Sequence, residues 1–209
     1  MELNAVEIRV LGALIEKDMT TPDYYPLSLN ALVNACNQKT NREPVSAHGD
    51  DAVMEALEGL RGKQLAVFVH ESGSRVEKYR HRLGESFNFT RGELAVMAVL
   101  MLRGPQTAAE LRERAARLHA FEDSSAVENS LHRLEGRENQ PLVKLMPRLP
   151  GMKEPRWAHL LGGEPEWTGD APAAVAQAAQ GGLAERVENL ETELRALRTE
   201  FERFREQFQ

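Results

Sequence analysis

The sequence predicts a mainly α protein with small β-hairpins, an α+β chain in which one unit occurs twice before a C-terminal coiled-coil helix. Three observations predict it. Segments recur in the same order, each copy reads as three helices followed by two short strands, and the tail carries an unbroken heptad of apolar residues.

The repeat comes first. Residues 7–14, EIRVLGAL, match residues 93–100, ELAVMAVL, at a spacing of 86. Each follows a helix-start signal, Asn4-x-x-Glu7 and Thr90-x-x-Glu93, and the second is a capping box that satisfies orphan amides of the first turn. Ala52-Val53-x-x-x-Leu57-x-x-Leu60-x-Gly62 matches Ala126-Val127-x-x-x-Leu131-x-x-Leu134-x-Gly136 at a spacing of 74. Lys78-Tyr79-x-His81-x-Leu83 matches Arg156-Trp157-x-His159-x-Leu161 at 78.

The elements of each copy follow from period and caps. The first helices, about 4–18 and 91–103, are apolar around most of their circumference, which predicts burial on more than one side. Second helices fall near 28–36 and 108–118, the latter opened by the capping box Thr107-x-x-Glu110. Third helices fall near 49–63 and 125–137. Hairpins follow: Leu65–His70 with Val76–Leu83, and Leu142–Met146 with Arg156–Leu161. Three helices and a hairpin in that order describe a winged helix, so the expected fold is a tandem winged-helix protein. The alternative is two unrelated α+β domains. The domain boundaries read as 1–85 and 86–161, with a Gly-, Pro- and Ala-rich linker over 162–182 and a coiled-coil helix over 183–209.

In the tail, Leu183, Val187, Leu190, Leu194, Leu197, Phe201, Phe204 and Phe208 alternate steps of four and three. With Leu183 at d, each g residue (Arg186, Glu193, Glu200) faces an oppositely charged e residue (Glu191, Arg198, Arg205) in a parallel pair. The expectation is a homodimer through this helix. The alternative is one amphipathic helix docked on its own domains.

Bulk properties narrow the class. The 209 residues are 42% hydrophobic and 28% charged, with no apolar run long enough to span a bilayer and no signal-peptide pattern. The single cysteine, Cys36, fits a reducing compartment, so the expected location is the cytoplasm and no membrane partner is expected. The net charge is −6, with most of the acidic excess in the tail: 5 basic and 10 acidic residues over 162–209. That total disfavours nonspecific coating of nucleic acid but leaves room for a local basic face.

The stretch 24–45, YYPLSLNALVNACNQKTNREPV, resembles a signature of the YceH-like family of bacterial proteins. Residues 3–26, LNAVEIRVLGALIEKDMTTPDYYP, and 88–112, NFTRGELAVMAVLMLRGPQTAAELR, resemble it too, and the likeness runs over about 3–161. The resemblance implies a tandem winged-helix fold. It implies no activity and carries no site residues.

Candidate chemistry is concentrated in two places. The repeat spacings place about twelve additional residues of the first copy in or beside 19–51. There Asn37, Gln38, Lys39, Thr40, Asn41 and Arg42 bring together amides, a hydroxyl and cations that can read base edges or hold phosphates. The alternative is a long turn whose polar side chains cap helix ends. Arg75, Lys78, Arg80 and Arg82 cluster on the first hairpin, with His81 beside them, and suit phosphate contact. Lys144, Arg148, Lys153 and Arg156 do the same on the second. The third helices point the other way, because Asp50, Asp51, Glu55, Glu58, Glu122, Asp123, Glu128 and Glu135 would repel phosphates.

Two functions therefore stand: a DNA-binding or transcription-associated protein with double-stranded DNA as its partner, or an interaction scaffold that binds a protein partner through its acidic helices. No nucleotide-binding, zinc-protease or nucleophile-elbow motif is present, so no enzyme, cofactor or metal is expected. Cys36, on an apolar stripe, reads as a core residue, and His81 and His159, at equivalent strand positions, read as packing or hydrogen-bonding residues.

Overall fold

A computed structural model of the chain describes residues 2–70, 76–138 and 140–165. It is a mixed α/β structure whose described residues form seven helices and two small antiparallel sheets. The predicted coiled-coil helix, most of the predicted linker, and Arg75 lie outside the described residues.

The first half runs α1 (Ala5–Thr20), a 3-10 turn (Pro22–Tyr24), β1 (Leu27–Ser28), α2 (Leu29–Cys36), α3 (Asp50–Gly62), β2 (Ala66–Val69) and β3 (Lys78–His81). A short α4 (Leu83–Phe87) connects to the second half: α5 (Arg91–Arg103), α6 (Ala108–Ala115), α7 (Ser124–Glu135), β4 (Val143–Met146) and β5 (Arg156–His159). Asn4, Thr90 and Thr107 close reciprocal capping boxes with Glu7, Glu93 and Glu110. The Asn4 box is complete, although its sequence announces the helix start less strongly than the two threonines do.

The two halves share one topology. β1, between the first and second helices, joins the hairpin to give the order β1-β3-β2, with Leu27 opposite Tyr79. In the second half a single bridge, Gln106 to Trp157, occupies the matching place beside β4 and β5. The sequence reading missed both, because a two-residue strand is too short to show alternation. It also carried the second strand of the first hairpin through Leu83, whereas β3 ends at His81 and Leu83 opens α4. There Glu85 accepts from both Arg80 and Arg82 and folds the chain back, and Asn88 ends the turn with a φ of +50°.

The additional residues of the first copy are spread along it. α1 is 16 residues against 13 in α5. The connection before the second helix is Thr21–Ser28 against Gly104–Thr107, and the one before the third is Asn37–Gly49 against Ala116–Asp123.

The core explains why the first helices are apolar all round. α1 and α5 pack on each other as well as on their own halves, and Ala95–Leu102 are buried without a break. Gly12 permits the approach: a Cβ there would stand 3.0 Å from Leu102 Cγ and 3.2 Å from Met101 Cβ. No helix among the described residues is long and apolar enough to cross a membrane.

Candidate functional site

The loop Asn37–Gly49 leaves the C-terminus of α2 and returns to the start of α3. Its neck is closed by Asn37, whose Nδ2 donates to the His48 carbonyl and whose Oδ1 accepts from the His48 amide, both at 2.8 Å. Asn41 adopts a φ of +59°, a left-handed conformation that asparagine tolerates better than most residues. In that conformation its carbonyl accepts from Arg42 Nη1 at 2.8 Å and its Oδ1 accepts from Arg103 Nη1, at the end of α5, at 2.9 Å.

Arg42 corrects the sequence reading. It was expected at a nucleic-acid surface, yet its side chain is fully buried, as is that of Glu16 on α1. The guanidinium grips Glu16 in a fork, Nη1 to Oε1 at 3.0 Å and Nη2 to Oε2 at 2.5 Å. It also donates to the Ala35 carbonyl from Nε (3.0 Å) and Nη2 (2.7 Å), and to Gln38 Oε1 at 3.2 Å. The physical reason is plain. A carboxylate inside an apolar helix pair needs a cation, and the last turn of α2 exposes orphan carbonyls that a cation satisfies. Burial alone would raise the Glu16 pKa. The Arg42 hydrogen bonds and the charges of Arg42 and Arg117 outweigh it and hold it below the usual range. Arg117, just beyond α6, reaches Glu16 Oε1 from the other half. Arg9 donates to the Pro44 carbonyl at 2.6 Å, and the Glu43 amide to the Leu102 carbonyl at 2.9 Å. The loop is thus a bracket holding α1, α2 and α5 together. Only Lys39 and Thr40 of the six candidate residues are exposed.

The described arginines of the first hairpin are likewise engaged. Arg80 Nη1 lies 2.7 Å and Arg82 Nε 2.9 Å from the two oxygens of Glu85. Those hydrogen bonds hold the Glu85 carboxyl below its ordinary range. Lys78 sits half-buried opposite Val69 and Ser28. On the second hairpin Arg156 grips Glu110 at 2.8 and 3.1 Å and Lys144 pairs with Glu164, while Arg148 and Lys153 are exposed.

The outward side of α3 presents Asp50, Asp51, Glu55 and Glu58, all exposed, with Arg61 bound to Glu58 at 2.8 Å. His48, Asp50 and Asp51 form no metal constellation; among the described residues no group of three or more His, Cys, Asp or Glu is placed to hold an ion. Cys36 is completely buried, and that burial pushes its thiol pKa up to about 12. Burial likewise holds the His159 imidazole down to about 4.

Sequence reasoning missed Glu16, Arg103, Arg114 and Arg117. The available signal was Glu16, a lone carboxylate following the buried run Val10–Ile15.

A family profile described as a protein of unknown function, DUF480, matches residues 3–152. The chain belongs to this family. The matched part of the DUF480 chain takes in all seven helices, the bracket loop and β4. Relatives are named UPF0502 proteins. That of Geobacter sulfurreducens is 50% identical over 198 residues, covering 93% of this chain and 90% of its own length. That of Solibacter usitatus is 50% identical over 209 residues, covering 100% and 98%. That of Geotalea uraniireducens is 56% identical over 166 residues, covering 79% and 75%.

Proposed function

We propose that this DUF480 protein is a tandem winged-helix binding protein that docks a basic protein segment on its acidic third helix. Three helices followed by a hairpin in both halves, with β1 and the Gln106–Trp157 bridge in equivalent places, support the winged-helix assignment. The observation that carries the binding mode is the exposed face of α3. In a DNA-reading winged helix this helix enters the major groove. Here it offers Asp50, Asp51, Glu55 and Glu58, and its one exposed cation is tied to Glu58. Such a face repels phosphates and attracts lysine- and arginine-rich segments. The heptad from Leu183 to Phe208 supports a parallel homodimer, which would present two such faces.

Contact with double-stranded DNA is the second reading. It is favoured by the exposure of Lys39 and Thr40 on the loop and of Arg148 and Lys153 on the second hairpin. Fluorescence anisotropy separates the two. A labelled lysine-rich peptide and a labelled DNA duplex are titrated at several salt concentrations. The proposal expects peptide binding that Glu55→Lys with Glu58→Lys abolishes and Glu113→Lys leaves in place. Duplex binding lost in Lys39→Ala, without peptide binding, refutes it in favour of the DNA reading.

A further inference from the structure

A second charged site lies on the other side of the bracket, where α5 ends and α6 turns away. Arg103, Arg114 and Arg117 line one cleft of about 10 Å³ together with Glu16 and Asn41. Its floor is apolar, made by Ala98, Val99, Leu102 and Leu118. Space of that size takes one oxygen-sized atom.

The cations there exceed the acids available to them. Glu16 is saturated by the Arg42 fork and by Arg117. Glu110 is held by Arg156 on both oxygens and by the Thr107 amide, and stands 3.7 Å from Arg114. Glu43, 42% exposed, comes no nearer than 4.0 Å to Arg103 Nε. That Nε is buried and has no hydrogen-bond partner among the described residues. Burial and the neighbouring charge of Arg114 both lower the Arg103 pKa, which marks a cation short of counter-charge. A buried guanidinium donor left unmatched is costly, and an oxyanion is its natural complement.

We propose that this cleft binds a phosphate group, free or as the terminal monoester of a small molecule, with one oxygen seated between Arg103 and Arg114. Planar guanidinium forks match phosphate geometry, and the apolar floor keeps the local dielectric low. The site is separate from the acidic face of α3 and does not depend on that reading. Binding adds a charge-assisted tie at the junction of the two halves, so phosphate stabilises the fold.

The test is calorimetric titration of the full chain with inorganic phosphate and with glycerol 3-phosphate, against potassium chloride at matched ionic strength. Saturable binding is expected for phosphate or the monoester and not for chloride. Arg114→Gln weakens it about tenfold or more, as loss of one charge-assisted hydrogen bond requires. Arg103→Lys, which keeps the charge but removes the Nε–H, weakens it as well. Arg112→Gln, on the outer side of α6, leaves it unchanged. Tighter monoester binding assigns the group to an organic carrier, and equal binding assigns it to free phosphate. Heats no larger than those of chloride, or equal affinity in all three variants, overturn the proposal.

Discussion

Replacing Arg42 by alanine distinguishes a surface contact from a structural bracket. A residue that touches DNA would lower affinity and leave the fold intact. The structure instead places Arg42 opposite Glu16 with both side chains fully buried. Removing one member of such a pair leaves a charge in the interior, which costs about 3–5 kcal/mol. Arg117 keeps one Glu16 oxygen occupied and reduces that cost. The loss of two donors to the Ala35 carbonyl adds about 1 kcal/mol back. A net loss of about 4 kcal/mol is therefore expected, against a total of about 5–15 kcal/mol for a typical domain. Arg117→Ala, whose side chain is 41% exposed, should lose no more than about 1 kcal/mol. Urea unfolding followed by circular dichroism gives both values, and an unchanged slope shows that the folded state keeps its compactness. The double variant Glu16→Leu with Arg42→Met should be more stable than Arg42→Ala, since it buries no unpaired carboxylate. Acid adds an independent check. The folded Glu16 pKa lies below 4.5, so its contribution is present above that pH and disappears as pH falls through the folded value. Arg42→Ala should flatten this loss. A cost under 1 kcal/mol for Arg42→Ala would refute the bracket and return the residue to the surface.

Other outcomes follow from the same structure. His159 should titrate near 4 by NMR, so the fold loses stability as pH drops from about 6.5 to 4, where only the unfolded chain takes up the proton; an imidazole titrating near 6.5 would contradict this. Cys36 should react with a thiol reagent at neutral pH only at the rate of unfolding, and rapid modification of the native protein would show an open path to it. Removing residues 183–209 should convert a dimer to a monomer in light scattering while the helical signal of the remainder persists; an unchanged dimer would place the interface elsewhere. Gly59→Ala should fail to give the usual helix gain of about 1 kcal/mol, because the new Cβ would collide with Glu7 Oε1; the gain should return when Glu7 is also alanine.

Most of the fold was legible because its signals are local. Asn4, Thr90 and Thr107 start helices, and the apolar rings of α1 and α5 announce burial on several sides. The observed bounds of α5 are those the sequence predicts, and the other long helices differ by a few residues at their ends. What the sequence hid is contact across distance. The polar run 37–42 reads identically whether its side chains face a ligand or bond the chain itself. The decision rests on Glu16, 26 residues before Arg42, and on Arg117, 101 residues after Glu16. No periodicity links these positions. Only a buried carboxylate on α1 calls for them. The same holds at the first hairpin, where Glu85 neutralises two arginines that look free in the sequence.

The two halves also make the same interaction with different residues. Glu7 and Glu93 occupy the same position in α1 and α5, both nearly fully buried, each closing its capping box with one oxygen. The other oxygen meets a cation from the third helix of its own half or from its C-cap. In the second half Arg133, within α7, supplies it at 3.1 Å. At the spacing of 74 the matching residue of the first half is Gly59, which has no side chain to offer. There Lys63, one turn further on, pairs with Glu7. The missing side chain at Gly59 is what admits the Glu7 carboxylate, since any Cβ would collide with it. Arg137, the counterpart of Lys63, is then free of that duty and donates to the Phe87 carbonyl instead. Between the halves the cation stands one helical turn apart, and a glycine takes its place at position 59. The buried carboxylate is common to both halves, and the cation that answers it sits at a different position in each.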